Sequence, residues 1–208
     1  ALVGASGVVG TKIIKLLEKR LFPVGKFIPL GNSTVGSSIE FNNKKYLIES
    51  LENFDPQTAQ IIIFSAGSTV AEKYARDFVA AGSFVVDLSS NFRYQDDVPL
   101  IIPEINGDII ESLSKPSLIA NPNCSTAQLL MALKPIHDNA KIKFLNIATY
   151  QAVSGTGKAA LEELHNQTYF TDSENESVVY PKQIAFNVIP QCDIFLENNF
   201  TKEEMKLT

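Results

Sequence analysis

The chain has 208 residues, 45% of them hydrophobic and 20% charged, with a formal net charge of -5 and a pI near 5.1. That is enough apolar material for one large core or two small ones, and an acidic balance without a Lys/Arg run argues against a nucleic-acid surface. No apolar stretch reaches the roughly 18 residues of a membrane span and no secretory leader opens the chain, while Cys124 and Cys192 form neither a metal-ligand spacing nor a disulfide framework. The expectation is a cytoplasmic protein with no metal and no membrane segment.

Ala1-Leu2-Val3 is half of an ordinary strand, and Thr201 to Thr208 reads as a helix start, with Thr201 as N-cap and early carboxylates, that stops without a cap. Both ends are therefore expected to be cut. The opening strand runs into Gly4-Ala-Ser6-Gly7-Val8-Val9-Gly10, and Ile13, Ile14, Leu16 and Leu17 continue at helical spacing to about Arg20. This G-x-x-G-x-x-G turn is either a variant dinucleotide fingerprint, with pyrophosphate on the helix N-terminus, or a plain strand-to-helix turn.

Lys26 to Leu30 reads as the second strand, with Pro29 marking it as irregular or an edge. The loop Gly31-Asn32-Ser33-Thr34-Val35-Gly36 comes next, where an NAD enzyme carries a carboxylate for the ribose hydroxyls. Its absence leans toward NADP, and an ordinary polar loop is the competing reading. Ser38 to Phe41, Asn42-Asn43 and Lys44 to Ile48 make a hairpin. Gln60 to Phe64 reads as a fully buried parallel strand ending in the small-residue loop Ser65-Ala66-Gly67, where open α/β sheets place ligands.

A helix over Val70–Ala81 and a strand over Phe84–Leu88 lead to Ser89-Ser-Asn-Phe-Arg93. Arg93 is either a clamp for phosphate or carboxylate or a solvated loop residue. A short helix after Ile101 and a strand over Ser117–Ala120 precede Asn121-Pro-Asn123-Cys124, where a further helix begins. A thiol at a helix N-terminus sits among unpaired N–H groups that stabilise negative charge on sulfur and on an oxyanion. On local pattern a buried packing cysteine and a nucleophile are evenly matched. Alternating strands and helices over 120 residues argue for a doubly wound sheet.

From Lys141 the pattern changes. Lys141 to Gln151 reads as a long strand of an antiparallel sheet, Ala152 to Lys158 as a glycine-rich bend into a helix ending near His165, and 166–181 as an exposed loop. Cys192 falls in a segment that reads as interior or interface. The fold expected is α/β: a Rossmann-like doubly wound sheet over residues 1–121, followed by an α+β catalytic and dimerisation domain over 122–208, incomplete at its end.

Taken together, these stretches resemble the aspartate-semialdehyde dehydrogenase family in its bacterial form. The matching pieces are Gly4 to Gly10, Ser65-Ala66-Gly67, Ser89 to Arg93, Pro103-Glu-Ile-Asn106, Ala120-Asn-Pro-Asn-Cys-Ser-Thr126, Thr149-Tyr-Gln-Ala-Val-Ser-Gly-Thr-Gly157 and Gln183 to Gln191. The resemblance implies NADPH-dependent reduction of 4-aspartyl phosphate to aspartate semialdehyde and phosphate, in the synthesis of lysine, methionine, threonine and diaminopimelate.

By the same resemblance, Cys124 is the nucleophile, Gln151 orients the substrate, Arg93 binds the departing phosphate and Asn123 supports the phosphate or the oxyanion. Ser6, Gly7, Val8 and Val9 hold the pyrophosphate, and Gly4, Ala66 and Gly67 also bind the cofactor. Asn32 and Ser33 meet the 2′-phosphate, where family members often carry Arg-Ser, and Ser154 and Gly155 lie by the nicotinamide. A homodimer is expected.

The family's general acid/base histidine and carboxylate-binding arginine lie beyond the matched region, so the 208-residue chain alone is expected to be inactive or nearly so. His137, thirteen residues past Cys124, would lie about 20 Å along the same helix, and His165 would close its own helix. The alternatives are another acyl-phosphate reductase, of the N-acetylglutamyl-phosphate or glyceraldehyde-phosphate type, and a non-catalytic dinucleotide-binding module.

Overall fold

In the computed structural model, which describes residues 1–170 and 177–208, strand β1 (Leu2–Val3) passes through the glycine turn into helix α1 (Val8–Lys19). Strands β2 (Pro29–Gly31), β3 (Ser38–Phe41), β4 (Lys44–Leu47) and β5 (Glu49–Ser50) come after it. Next are β6 (Ile61–Phe64), α2 (Ser68–Ala80), β7 (Phe84–Asp87), the short helices α3 (Pro103–Asn106) and α4 (Asp108–Glu111), β8 (Leu118–Ala120) and α5 (Cys124–Ala140). After these lie α6 (Lys158–Tyr169) and α7 (Lys202–Met205). Two compact units result, Ala1–Asp138 and Asn139–Thr208. The expected division after residue 121 falls at the turn from β8 into α5, and the boundary between the compact units falls within α5, two residues before its end.

The first unit carries a six-stranded parallel sheet in the order β5-β2-β1-β6-β7-β8. Leu2 pairs with Pro29 on one side and with Ile63 on the other, so the strand order reverses between β1 and β6. Period-2 alternation sends the side chains of β1 to opposite faces. Val3 joins Leu30, Ile62, Phe64, Ala71, Ala75, Phe78 and Val85 on the α2 face, and Leu2 joins Ala5, Ile14, Phe27 and Phe41 on the α1 face. Each of the large side chains among these contributes about 1.5–3 kcal/mol by leaving water. The β3–β4 hairpin closes through Asn42 and Asn43, both left-handed with φ of 50° and 60°, a geometry Asn tolerates. It packs Tyr46 edge-on against Phe27 at 5.4 Å.

Three sequence expectations for this unit change. Pro29 does not mark an edge, because β2 lies between β1 and β5; Pro29 takes its first position, where the missing N–H removes no interior ladder bond. β6 is not fully buried. Ile62 and Phe64 face the α2 core, but on the other face Ile63 alone joins the cluster around Leu2, and Ile61 stays 44% exposed. Leu16, read as part of the apolar helix face, is exposed on α1.

In the second unit the strand expected over Lys141–Gln151 does not form. Its alternation marks two faces, but a strand exists only by pairing its backbone, and this segment pairs with no other described residue. Phe144 and Tyr150 are exposed there. Helix α6 runs four residues past His165, whose ring stacks on Tyr169 at 4.7 Å instead of closing the helix. Of the loop expected over 166–181, the first residues are thus helical and 171–176 lie outside the described residues. Two buried side chains of α6 anchor the chain over 178–185. Glu163 accepts the N–H groups of Val178 and Val179 at 2.9 and 2.6 Å, and Gln167 Oε1 accepts those of Ile184 and Ala185 at 2.9 and 3.1 Å. Cys192 is exposed and not interior. α7 carries the expected Thr201 cap as a full capping box with Glu204. Among the described residues no helix is long and apolar enough to cross a membrane.

Candidate active site

The loops singled out in the first unit all leave the carboxyl ends of parallel strands: Gly4–Val9 after β1, Asn32 and Ser33 after β2, Ala66 and Gly67 after β6, Arg93 after β7 and Cys124 after β8. The glycine loop is shaped for close approach. Gly4 is left-handed at φ 78°, and a Cβ there would stand 2.8 Å from the Ser65 carbonyl oxygen. Gly7 caps α1 without any side-chain acceptor, which leaves the N–H groups of the first turn directed at whatever occupies the loop. Ser6 Oγ and Thr34 Oγ1 lie 2.9 Å apart and tie this loop to the one carrying Asn32 and Ser33, both exposed. Gly67, φ 85°, opens α2 in the same uncapped way. These features fit a dinucleotide whose phosphates rest on α1.

Cys124 is the first residue of α5 and is exposed. The helix start is built by Asn123, 9% exposed, whose Oδ1 accepts the N–H groups of Ser125 and Thr126 at 2.9 and 3.1 Å. Of the N–H groups at this helix start, those two are committed to the cap, and the N–H of Cys124 is the donor of that turn that Asn123 does not take. Arg93 Nε donates to the Asn121 carbonyl at 2.8 Å and Nη2 to the Leu88 carbonyl at 3.1 Å. The structure thus holds Arg93 against the loop that leads into Asn123 and Cys124, and Arg93 is no solvated loop residue.

Sequence reasoning passed over Asp87, at the end of β7. It is fully buried and accepts both the N–H and the hydroxyl of Ser89, at 3.0 and 2.6 Å. Burial pushes its carboxyl above the ordinary range, while the two Ser89 hydrogen bonds and the Arg93 charge pull it back down. A charge inside the apolar run Phe84-Val-Val-Asp-Leu88 was the available signal.

Gln151, Ser154 and Gly155 lie in the second unit, all three exposed, the last two in a 3-10 turn over Val153–Gly155. Gln151 Nε2 donates to Glu203 Oε1 at 3.1 Å, and Lys206 Nζ bridges Glu203 and Asp193, each at 2.9 Å. Glu203 and Lys206 are two more residues that sequence reasoning missed, since Lys-Glu-Glu-Met-Lys looks like any charged helix start.

Burial pushes the Asp193 carboxyl up, but the Lys206 hydrogen bond, the Ile194 N–H and the charges of Lys206 and Lys202 outweigh it and leave it below its ordinary 3.8. A carboxyl depressed by folding stabilises the fold above its unfolded value and stops doing so as pH falls through the folded one. Asp193→Asn is therefore expected to lower Tm near neutral pH, with the difference from the parent protein vanishing as the pH drops below 3.8. A gap that stayed constant across thermal melts at stepped pH would contradict this.

Residues 1–113 match the family model described as the NAD binding domain of semialdehyde dehydrogenase, and residues 133–208 match that of its dimerisation domain. An aspartate-semialdehyde dehydrogenase of Shewanella violacea is 51% identical over 208 residues, covering 99% of this chain and 62% of the relative. One from Campylobacter jejuni is 43% identical over 214 residues, covering 100% and 62%. Among solved structures, aspartate semialdehyde dehydrogenase II of Vibrio cholerae, complexed with ASA, has a TM-score of 0.94 at 42% identity, over 99% of this chain and 62% of that one. The Candida albicans enzyme, solved with NADP, has a TM-score of 0.54 at 25% identity, over 68% and 47%. The chain thus spans about 62% of the length of the Shewanella and Campylobacter relatives. One family model takes in more than half of the chain, so the chain belongs to the semialdehyde dehydrogenase family.

Proposed function

We propose that the whole protein is an aspartate-semialdehyde dehydrogenase, a cytoplasmic homodimer that reduces 4-aspartyl phosphate with NADPH to aspartate semialdehyde and phosphate for lysine, methionine, threonine and diaminopimelate synthesis. The observation that carries this reading is the Arg93 side chain bonded to the carbonyl of Asn121, three residues before the exposed Cys124 at the head of α5. A cation held on the loop that carries a nucleophilic sulfur suits a substrate whose leaving group is phosphate.

In this reading the Cys124 sulfur forms a bond to the acyl carbon as the carbon–oxygen bond to phosphate breaks. Phosphate leaves with the bonding pair, takes up one proton and is held by Arg93. The thioester carbon then accepts hydride, and collapse of the resulting oxyanion releases the aldehyde and the Cys124 thiolate. The nicotinamide cofactor, when bound, supplies that hydride. The Cys124 N–H and the Asn123 side chain border the oxyanion and the phosphate, and Gln151 orients the substrate. Ser154 and Gly155 border the nicotinamide.

Ser6, Gly7, Val8 and Val9 would hold the pyrophosphate, and Gly4, Ala66 and Gly67 would also bind the cofactor. Asn32 and Ser33 would meet the 2′-phosphate. For NADP speak the carboxylate-free loop over 31–36, its hydroxyl link to Ser6, and the NADP bound to the Candida relative. Residues 1–121 serve the cofactor and 122–208 the chemistry and the dimer. His137, about 20 Å along α5 from Cys124, is too far for proton transfer.

The test is oxidation of aspartate semialdehyde by the whole protein, followed by cofactor reduction. Turnover is expected to require phosphate and to prefer NADP to NAD. Turnover without phosphate, or with N-acetylglutamate semialdehyde in its place, would rule the proposal out.

A further inference from the structure

We propose that Asp87 is the positioning residue of the phosphate arm, holding the 88–93 loop so that Arg93 stays seated against the loop that carries Cys124. The inference rests on reading Arg93 as the phosphate-binding group. Its ground is a closed circuit of hydrogen bonds with Asp87 at both ends. The Asp87 carboxylate takes the N–H and O–H of Ser89, and Ser89 Oγ in turn accepts the N–H of Asn91 at 3.1 Å, which folds the chain back after β7. The Asp87 backbone carbonyl accepts the N–H of Asn121 at 2.8 Å. The Asn121 carbonyl accepts Arg93 Nε, and Arg93 Nη2 reaches the carbonyl of Leu88, next to Asp87 itself. Both arms of the site, the arginine loop and the cysteine loop, are thus registered on one residue.

The choice of residue is informative. A fully buried carboxyl at the end of an apolar strand is expensive, and an apolar side chain would fill the place more stably. Asp87 is kept there by partners that serve the loop. Both of its oxygens act as acceptors, and the Arg93 charge lies close enough to favour its ionised form. It touches neither substrate nor cofactor in the proposed reaction, so its effect is exerted through Arg93.

Steady-state kinetics of the whole protein, with aspartate semialdehyde, NADP and varied phosphate, tests this. Asp87→Asn turns one acceptor facing Ser89 into a donor and removes the buried charge. It is expected to raise the phosphate KM about tenfold, the scale of a lost hydrogen bond to a charged group, and to leave the NADP KM unchanged. In an Arg93→Lys background the same substitution is expected to add nothing further to the phosphate KM, since two residues acting as one unit are not additive. An unchanged phosphate KM, or effects that multiply, would overturn the inference. Should Asp87→Asn fail to accumulate as folded protein, Ser89→Ala keeps the carboxylate and removes its hydroxyl partner; a smaller rise in phosphate KM supports the inference and no rise overturns it. A parent protein that turns over without phosphate would remove the reading of Arg93 itself, and that control precedes every variant.

Discussion

Cys124→Ala in the whole protein is expected to lower kcat by at least about 10,000-fold, the scale seen when a covalent nucleophile is removed. The fold should not notice. Cys124 is exposed, and the start of α5 is built by the Asn123 side chain and carbonyl, the latter accepting the N–H of Ala127 at 2.9 Å. Tm is therefore expected to stay within about 0.5 kcal/mol of the parent in free-energy terms, as for other surface changes. Cys192→Ser, exposed in the second unit, is the control and should leave kcat as it was. A Cys124→Ala protein that kept more than about a hundredth of its activity would dismiss the cysteine as nucleophile. Cofactor absorbance measures the one quantity and thermal melting the other.

Gly10→Ala is expected to be the most damaging single methyl group in the first unit. A Cβ at Gly10 would lie 2.2 Å from the carbonyl oxygen of Gly4 and 2.8 Å from that of Ala5. Both are backbone atoms, so no rotamer change relieves the clash. Helix propensity favours alanine by about 1 kcal/mol, but overpacking of this kind costs about 3 kcal/mol, and the clash wins. The net loss of about 2 kcal/mol corresponds to a fall in Tm of several degrees. Relief would come by pushing α1 away from the β1 turn, so dinucleotide affinity should fall with stability. Gly25→Ala, whose Cβ would meet nothing within 4 Å, provides the contrast. Equal melting temperatures for the two variants would show that the helix packs more loosely on the turn than these distances require.

Much of the first unit was legible because its signals are local. Glycines at 4, 7 and 10 announce a turn that only small residues permit, Asn42-Asn43 announces a left-handed hairpin turn, and Val3, Ile62 and Val85 announce buried strands. Cys124 was legible as a helix head for the same reason. The errors share a different physics. Whether Lys141–Gln151 becomes a strand is decided by a partner elsewhere, and alternation cannot supply one. Ile61 reads like Ile62, and only the extent of the cluster around Leu2 separates an exposed from a buried position. Asp87, Glu203 and Lys206 matter through hydrogen bonds that close in space, with Gln151 and Glu203 separated by 52 positions.

The place of β1 has a consequence for how the chain assembles. It precedes both of its neighbours in the sequence, yet it lies between them, with Leu2 on Pro29 to one side and on Ile63 to the other. Every ladder of the six-stranded sheet is parallel, so each must wait for a crossover to be closed before any pairing rewards it. The β3–β4 hairpin can zip locally, but it stands outside that sheet. During synthesis β1 therefore stays half-paired until β6 has been made. Leu2 and Val3 thus wait longer for a second partner strand than any other residues of this sheet.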